Sequence, residues 1–127
     1  LDQLEKMHGY KTGALIRASV LMGATCALPE PDQALNAALD CYAQAIGLAF
    51  QVQDDILDVE GNTETLGKQQ GADEALNKPT YPGILGLEGA KAKARELVDE
   101  AIAALDVLPG NTKTLADLAR YIIARDH

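Results

Sequence analysis

An all-α fold, a bundle of packed helices, is what this sequence predicts, and three observations predict it. Apolar residues recur at intervals of three and four along most of the chain, the period that lines up one face of a helix. Alternating, strand-like runs do not emerge, nor do tandem repeats or low-complexity stretches. With no Trp, one Phe and four Tyr, the core must be built mostly from Leu, Ile, Val and Ala, a composition that favours closely packed helices. At 127 residues and 47% hydrophobic content the chain is long and apolar enough for one domain with a real core.

Taken in order, residues 1–27 place Leu4, Leu15, Ile16, Val20 and Leu21 at mainly helical spacing, interrupted by Gly9, Gly13 and Gly23. Two helical pieces joined near residues 9–13 are expected, ending before Pro29 and Pro31. Asp32 is then placed to cap a long, largely buried helix over residues 33–59, with Gly61 as its stop. Residues 60–83 carry Gly61, Gly67, Gly71, Pro79 and Pro82. A connection of that length inside a compact domain is usually functional, so it is a candidate lid, with room for one helical turn near residues 72–76. Leu87, Ala90, Ala94, Leu97, Ala101, Leu105 and Leu108 define an amphipathic helix over about 89–108. A last helix over about 113–125 should turn Leu115, Leu118, Ala119, Ile122 and Ile123 inward. Cys26 and Cys41 are expected as reduced thiols filling small core positions.

The net charge of −8 argues against nucleic acid or an anionic membrane as the main partner, since both attract basic surfaces. It is compatible with divalent cations. No signal peptide and no membrane-spanning apolar run are legible, so a cytoplasmic location is expected. The chain opens on Leu1 rather than Met and already reads as helix there; a preceding part is therefore expected.

The chemistry concentrates at the end of the long helix, where Asp54, Asp55, Asp58 and Glu60 close the run I-G-L-A-F-Q-V-Q-D-D-I-L-D-V-E-G. Acidic side chains there oppose the helix dipole by roughly 0.3–1 kcal/mol each. At about 100° per residue, Gln51, Asp54, Asp55 and Asp58 share one arc, while Ala45, Ala49, Val52, Ile56 and Leu57 take the other side and Phe50 borders the arc beside Asp54. A cation relieves such a stripe, and hard oxygen donors without His or Cys suit Mg²⁺. Repulsion between neighbours on an exposed helix costs only about 0.2–0.5 kcal/mol per pair, so a solvated, ion-free helix end satisfies the spacing as well. The apolar character of the same helix upstream favours the site. His8, Lys11 and Thr12 sit at the glycine-interrupted bend, and Lys68 and Lys78 in the candidate lid. Ammonium groups there, with Mg²⁺ on the carboxylates, would neutralise a diphosphate and make it a leaving group.

The segments H-G-Y-K-T-G-A-L-I at 8–16, G-L-A-F-Q-V-Q-D-D-I-L-D at 47–58, L-G-K-Q-Q-G-A-D at 66–73, K-P-T-Y-P at 78–82 and Y-I-I-A-R at 121–125 resemble the trans-isoprenyl diphosphate synthases, in particular their bacterial farnesyl-forming branch. The resemblance implies the C-terminal half of an all-helical prenyltransferase bundle over residues 1–127, carrying the second of two aspartate-rich motifs. By analogy Asp54 ligates Mg²⁺ directly, with Asp55 and Asp58 acting partly through bound water. Lys11 and Lys68 would grip the allylic diphosphate, with Lys78 near it. Thr12 and Gln51 would set oxygens beside the allylic cation, and Phe50 would border the homoallylic substrate. The implied reaction condenses isopentenyl diphosphate with an allylic diphosphate, geranyl to farnesyl, in a homodimer. A longer-chain synthase and a non-catalytic helical subunit are the alternatives; a terpene cyclase fits poorly, because its second metal motif carries Asn and Ser or Thr. The first aspartate-rich motif, the Arg pair after it and the isopentenyl diphosphate site do not occur in these residues, so this chain alone is expected to be inactive.

Overall fold

The computed structural model describes residues 1–28, 30, 32–64 and 79–127. Lys68, Lys78 and residues 72–76 of the candidate lid lie outside the described residues. Among the described residues every regular element is helical: α1 (Asp2–Tyr10), α2 (Thr12–Ala27), α3 (Gln33–Glu64), α4 (Tyr81–Leu85), α5 (Leu87–Ala104) with a 3₁₀ turn at Leu105–Val107, and α6 (Lys113–Ala124).

Local chemistry sets most boundaries. α1 and α2 break at Lys11, whose amide donates to the His8 carbonyl at 3.3 Å. Asp32 caps α3 as expected, its Oδ1 accepting from the amides of Ala34 at 2.8 Å and Leu35 at 3.3 Å. The helix does not stop at Gly61 but runs on to Glu64, so Asp54, Asp55 and Asp58 stand before its last turn rather than in it, and the dipole no longer weighs on them. A glycine that ends a helix does so by adopting positive φ, and among the described residues only Gly86 and Gly110 have positive φ, not Gly61. α4 was not anticipated. It begins with Pro82 in its first turn, and the Thr80 hydroxyl accepts from Gly83 N at 3.1 Å.

α3 is the central element, packed principally against α5 on one side and α2 on another. The α3–α5 seam is built from small residues: Ala45, Ala49, Ala90, Ala94 and Ala101 are buried with Val52, Ile56, Leu97 and Val98. Alanines bring the two backbones close, and each fully buried Val or Ile contributes about 1.5–3 kcal/mol. α2 meets α3 at glycine: a Cβ on Gly47 would lie 3.2 Å from the Gly13 Cα. α6 is fixed to α3 by Ala119, Ile122 and the Tyr42 hydroxyl, which donates to the Leu115 carbonyl at 2.8 Å.

Several apolar positions read as core are not. Leu15 is 71% exposed and Leu118 46%, because α2 and α6 each turn only one face to α3 and carry apolar residues on others as well. Leu57 is half-buried. Cys26 and Cys41 are unpaired but exposed, not core.

Candidate active site

α1, α4 and the end of α6 converge on residues 50–55 of α3. Register on α3 decides what each neighbour meets. Val52 and Ile56 point into the core, which leaves Phe50, Gln51, Asp55 and Asp58 half-buried and Asp54 exposed along the polar arc.

The Asp55 carboxylate accepts from the backbone N–H of Tyr81 at 3.0 Å, tying the start of α4 to the acidic stripe. The Tyr81 ring is fully buried and stands 5.6 Å from the His8 ring at 33°. Burial raises the Tyr81 phenol above its ordinary value, with Glu5 and Asp55 adding to the rise. His8 is lowered by burial and by the Lys11 ammonium, against an opposing pull from Asp54. The His8 imidazole feels the charges of both Lys11 and Asp54, and the start of α2 lies against α3 just upstream of the acidic stripe, where a Cβ on Gly47 would stand 3.2 Å from the Gly13 Cα. Lys11 is exposed and Thr12 half-buried at the start of α2. Close by, Lys93 pairs with Glu5 at 3.2 Å.

On the opposite flank Arg125, one residue past α6, is only 12% exposed. Its Nε donates to the Ile122 carbonyl at 3.1 Å and its Nη2 to the Phe50 carbonyl at 3.2 Å. The guanidinium carbon lies 4.2 Å from the centre of the Phe50 ring, and the group pairs with the Asp54 carboxylate. The buried Gln53 amide donates to the Arg125 carbonyl at 3.3 Å. Beyond Arg125 opens a cleft of about 460 Å³ bordered by Gln53, Glu60, Lys91, Arg95 and Asp126, in which Lys91 pairs with Glu60 at 2.6 Å.

Of the residues singled out in the sequence, Phe50, Gln51, Asp54, Asp55 and Asp58 share one face of α3 ahead of its last turns, and the start of α2, which carries Lys11 and Thr12, packs on the same helix at Gly47. Lys68 and Lys78 lie outside the described residues. Sequence reasoning assigned no role to Arg125 or Tyr81 and placed His8 only at the bend beside Lys11 and Thr12. Spacing carries no signal for Arg125: 71 positions separate it from Asp54.

Among the described residues, no three His, Cys, Asp or Glu side chains converge tightly enough to hold a metal ion. The acidic stripe of α3 is therefore no closed protein cage. Its donors are all carboxylate oxygens, and Mg²⁺ typically takes one or two of these and completes its octahedron with water and substrate phosphates. The residues fit an ion shared with a phosphorylated ligand.

The polyprenyl synthetase family model matches residues 1–118, and the chain belongs to that family. Among similar proteins, the farnesyl diphosphate synthase of Escherichia coli (strain K12) is 57% identical over 129 residues, covering 99% of this chain and 43% of that protein. The farnesyl diphosphate synthase of Haemophilus influenzae is 50% identical over 125 residues, covering 98% of this chain and 42% of its own. A solved structure from Marinomonas sp. MED121, assigned as a farnesyl-diphosphate synthase, superposes with a TM-score of 0.75 at 46% identity, over 97% of this chain and 40% of that one. The chain thus spans less than half the length of these relatives.

Proposed function

We propose that this chain forms the metal-and-diphosphate side of a prenyltransferase that condenses isopentenyl diphosphate with an allylic diphosphate, geranyl to farnesyl. The observation that carries the reading is the acidic stripe of α3, with Asp54, Asp55 and Asp58 in one arc, on the helix against which the start of α2 packs through Gly13 and Gly47. Similarity to proteins named farnesyl diphosphate synthases supports it.

On this reading Asp54 is a direct ligand of Mg²⁺, and Asp55 and Asp58 act partly through water. Bound Mg²⁺ supplies neutralisation of the leaving diphosphate. Lys11 and Lys68 hold the allylic diphosphate and Lys78 stands near them. Thr12 and Gln51 direct oxygens toward the allylic carbon as positive charge develops, and Phe50 lies against the homoallylic partner. Ionisation assisted in this way needs no protein nucleophile. The rest of the site comes from the additional length that the relatives possess, and the complete enzyme works as a cytoplasmic homodimer. Among the described residues no helix is long and apolar enough to cross a membrane.

Prenyl transfer from geranyl diphosphate to radiolabelled isopentenyl diphosphate is the test. The 127-residue chain alone should give no turnover, and the complete protein containing it should give Mg²⁺-dependent farnesyl diphosphate. Asp54→Ala in the complete protein should lower kcat by about 10²-fold or more, the scale on which loss of one preorganised charge-stabilising group is felt. Robust turnover by the short chain, or near-normal kinetics in Asp54→Ala, would overturn the reading.

A further inference from the structure

The Arg125–Asp54 pair is asymmetric in a way that bears on metal binding. Arg125 is 12% exposed and anchored by the Ile122 carbonyl, the Phe50 carbonyl and the Phe50 ring, whereas its partner Asp54 is 44% exposed. A planar guanidinium held in several directions is a fixed cation. A short, partly exposed carboxylate is free to reorient about χ1 and χ2. Of the two groups, Asp54 is the less constrained.

Resting on the reading of Asp54 as a metal ligand, we propose that Arg125 is a positioning residue that competes with the metal for the Asp54 carboxylate. Without metal, the guanidinium satisfies Asp54 and keeps its oxygens turned toward the end of α6. Metal entry turns the carboxylate away and leaves Arg125 on its carbonyl and ring contacts. Two effects then oppose ion binding in the same direction: the pair must be given up, and a fixed positive charge stands beside the incoming cation. Arg125 thereby raises the metal concentration at which the acidic stripe fills, which favours filling by an ion that arrives with an anionic ligand over filling by a bare one.

The test uses the complete protein containing this chain, free of substrate, titrated with Mn²⁺ as a spectroscopic stand-in for Mg²⁺ and followed by electron paramagnetic resonance. Arg125→Gln should bind Mn²⁺ about two- to tenfold more tightly than wild type, the range expected for release of one partly exposed charge pair. Arg125→Lys, which keeps the charge and loses the planar fork, should fall between. A merely structural arginine would lower the melting temperature on substitution and leave Mn²⁺ affinity unchanged or weaker, which would overturn the proposal. Should Arg125→Gln fail to fold, the ¹⁵N guanidinium resonances of wild-type Arg125 decide: they should shift on Mg²⁺ addition and resemble the metal-bound position in metal-free Asp54→Asn. Resonances indifferent to Mg²⁺ would overturn the proposal. Asp54→Ala separates the two levels. One bound Mn²⁺ fewer in Asp54→Ala without tightening in Arg125→Gln sinks the competition alone, whereas an unchanged number and affinity of bound Mn²⁺ in Asp54→Ala sinks the metal role of Asp54 with it.

Discussion

Tyr42 shows what one buried polar side chain does in this fold. Its ring is fully enclosed between α3 and α6, its hydroxyl donates to the Leu115 carbonyl at 2.8 Å, and burial pushes the phenol up to about 12 from 10.0. The folded value is the higher of the two, so the stability that this group contributes is complete below pH 10 and is lost as the pH climbs from 10 toward 12. Thermal melts of the wild type should fall across that window. Tyr42→Phe should flatten the fall while costing about 1 kcal/mol at neutral pH through the lost hydrogen bond; an equally steep alkaline loss in the variant would assign the effect to other groups. At this scale the sequence was readable where the physics is local. Asp32 was recognisable as a cap because its partners sit two and three positions away. The acidic arc was recognisable because helical period fixes it. Arg125 and Tyr81 were not, since each acts on α3 from a distant part of the chain.

Between residues and the whole, the elements follow from spacing where a stripe is buried and depart from it where tertiary contact or a turn intervenes. The spacing of Leu87 through Leu105 gave α5 almost to its ends, because a stripe buried against α3 is a strong signal. α4 escaped notice: five residues carry too little period, and what holds them is the Thr80 cap and the burial of Tyr81. Gly61 misled as a helix stop, since glycine permits a left-handed turn without imposing one. The position where glycine is required is Gly86, between α4 and α5, with φ +74° and ψ 163°. Side chains with a Cβ essentially do not occupy that region, and forcing one there costs on the order of 1–3 kcal/mol. Gly86→Ala should therefore lower the urea unfolding free energy by that amount, even though open space surrounds the would-be Cβ. A neutral Gly86→Ala would mean that the α4–α5 corner relaxes without consequence for the core.

For the whole molecule the deciding feature is α2, an apolar helix with no buried residue. Ile16, Val20 and Leu21 are half-covered against the rest of the bundle, while Leu15, Ala18, Met22 and Cys26 are exposed. Leu15 and Met22, seven positions apart and so on one side of the helix, are 71% and 65% exposed. On the inner side of the same helix a groove of about 840 Å³ runs between α1 and α3, bordered by Tyr10, Gly13, Arg17, Leu21 and Leu48. Apolar side chains exposed together along one helix face mark a contact surface. Relatives more than twice as long have chain with which to cover it. In the 127-residue chain by itself, apolar association through this face is opposed by the repulsion of a net charge of −8. Salt decides between them, because raising ionic strength from about 0.1 M to about 1 M shortens the screening length from ~10 Å to ~3 Å while leaving apolar burial intact. Sedimentation velocity should therefore show the isolated chain shifting to larger species as salt is added. The double substitution Leu15→Glu, Met22→Glu should keep it monomeric throughout. Association that weakens with salt, or persists in the double variant, would place the contact on charged surface elsewhere and leave the α2 face without this role.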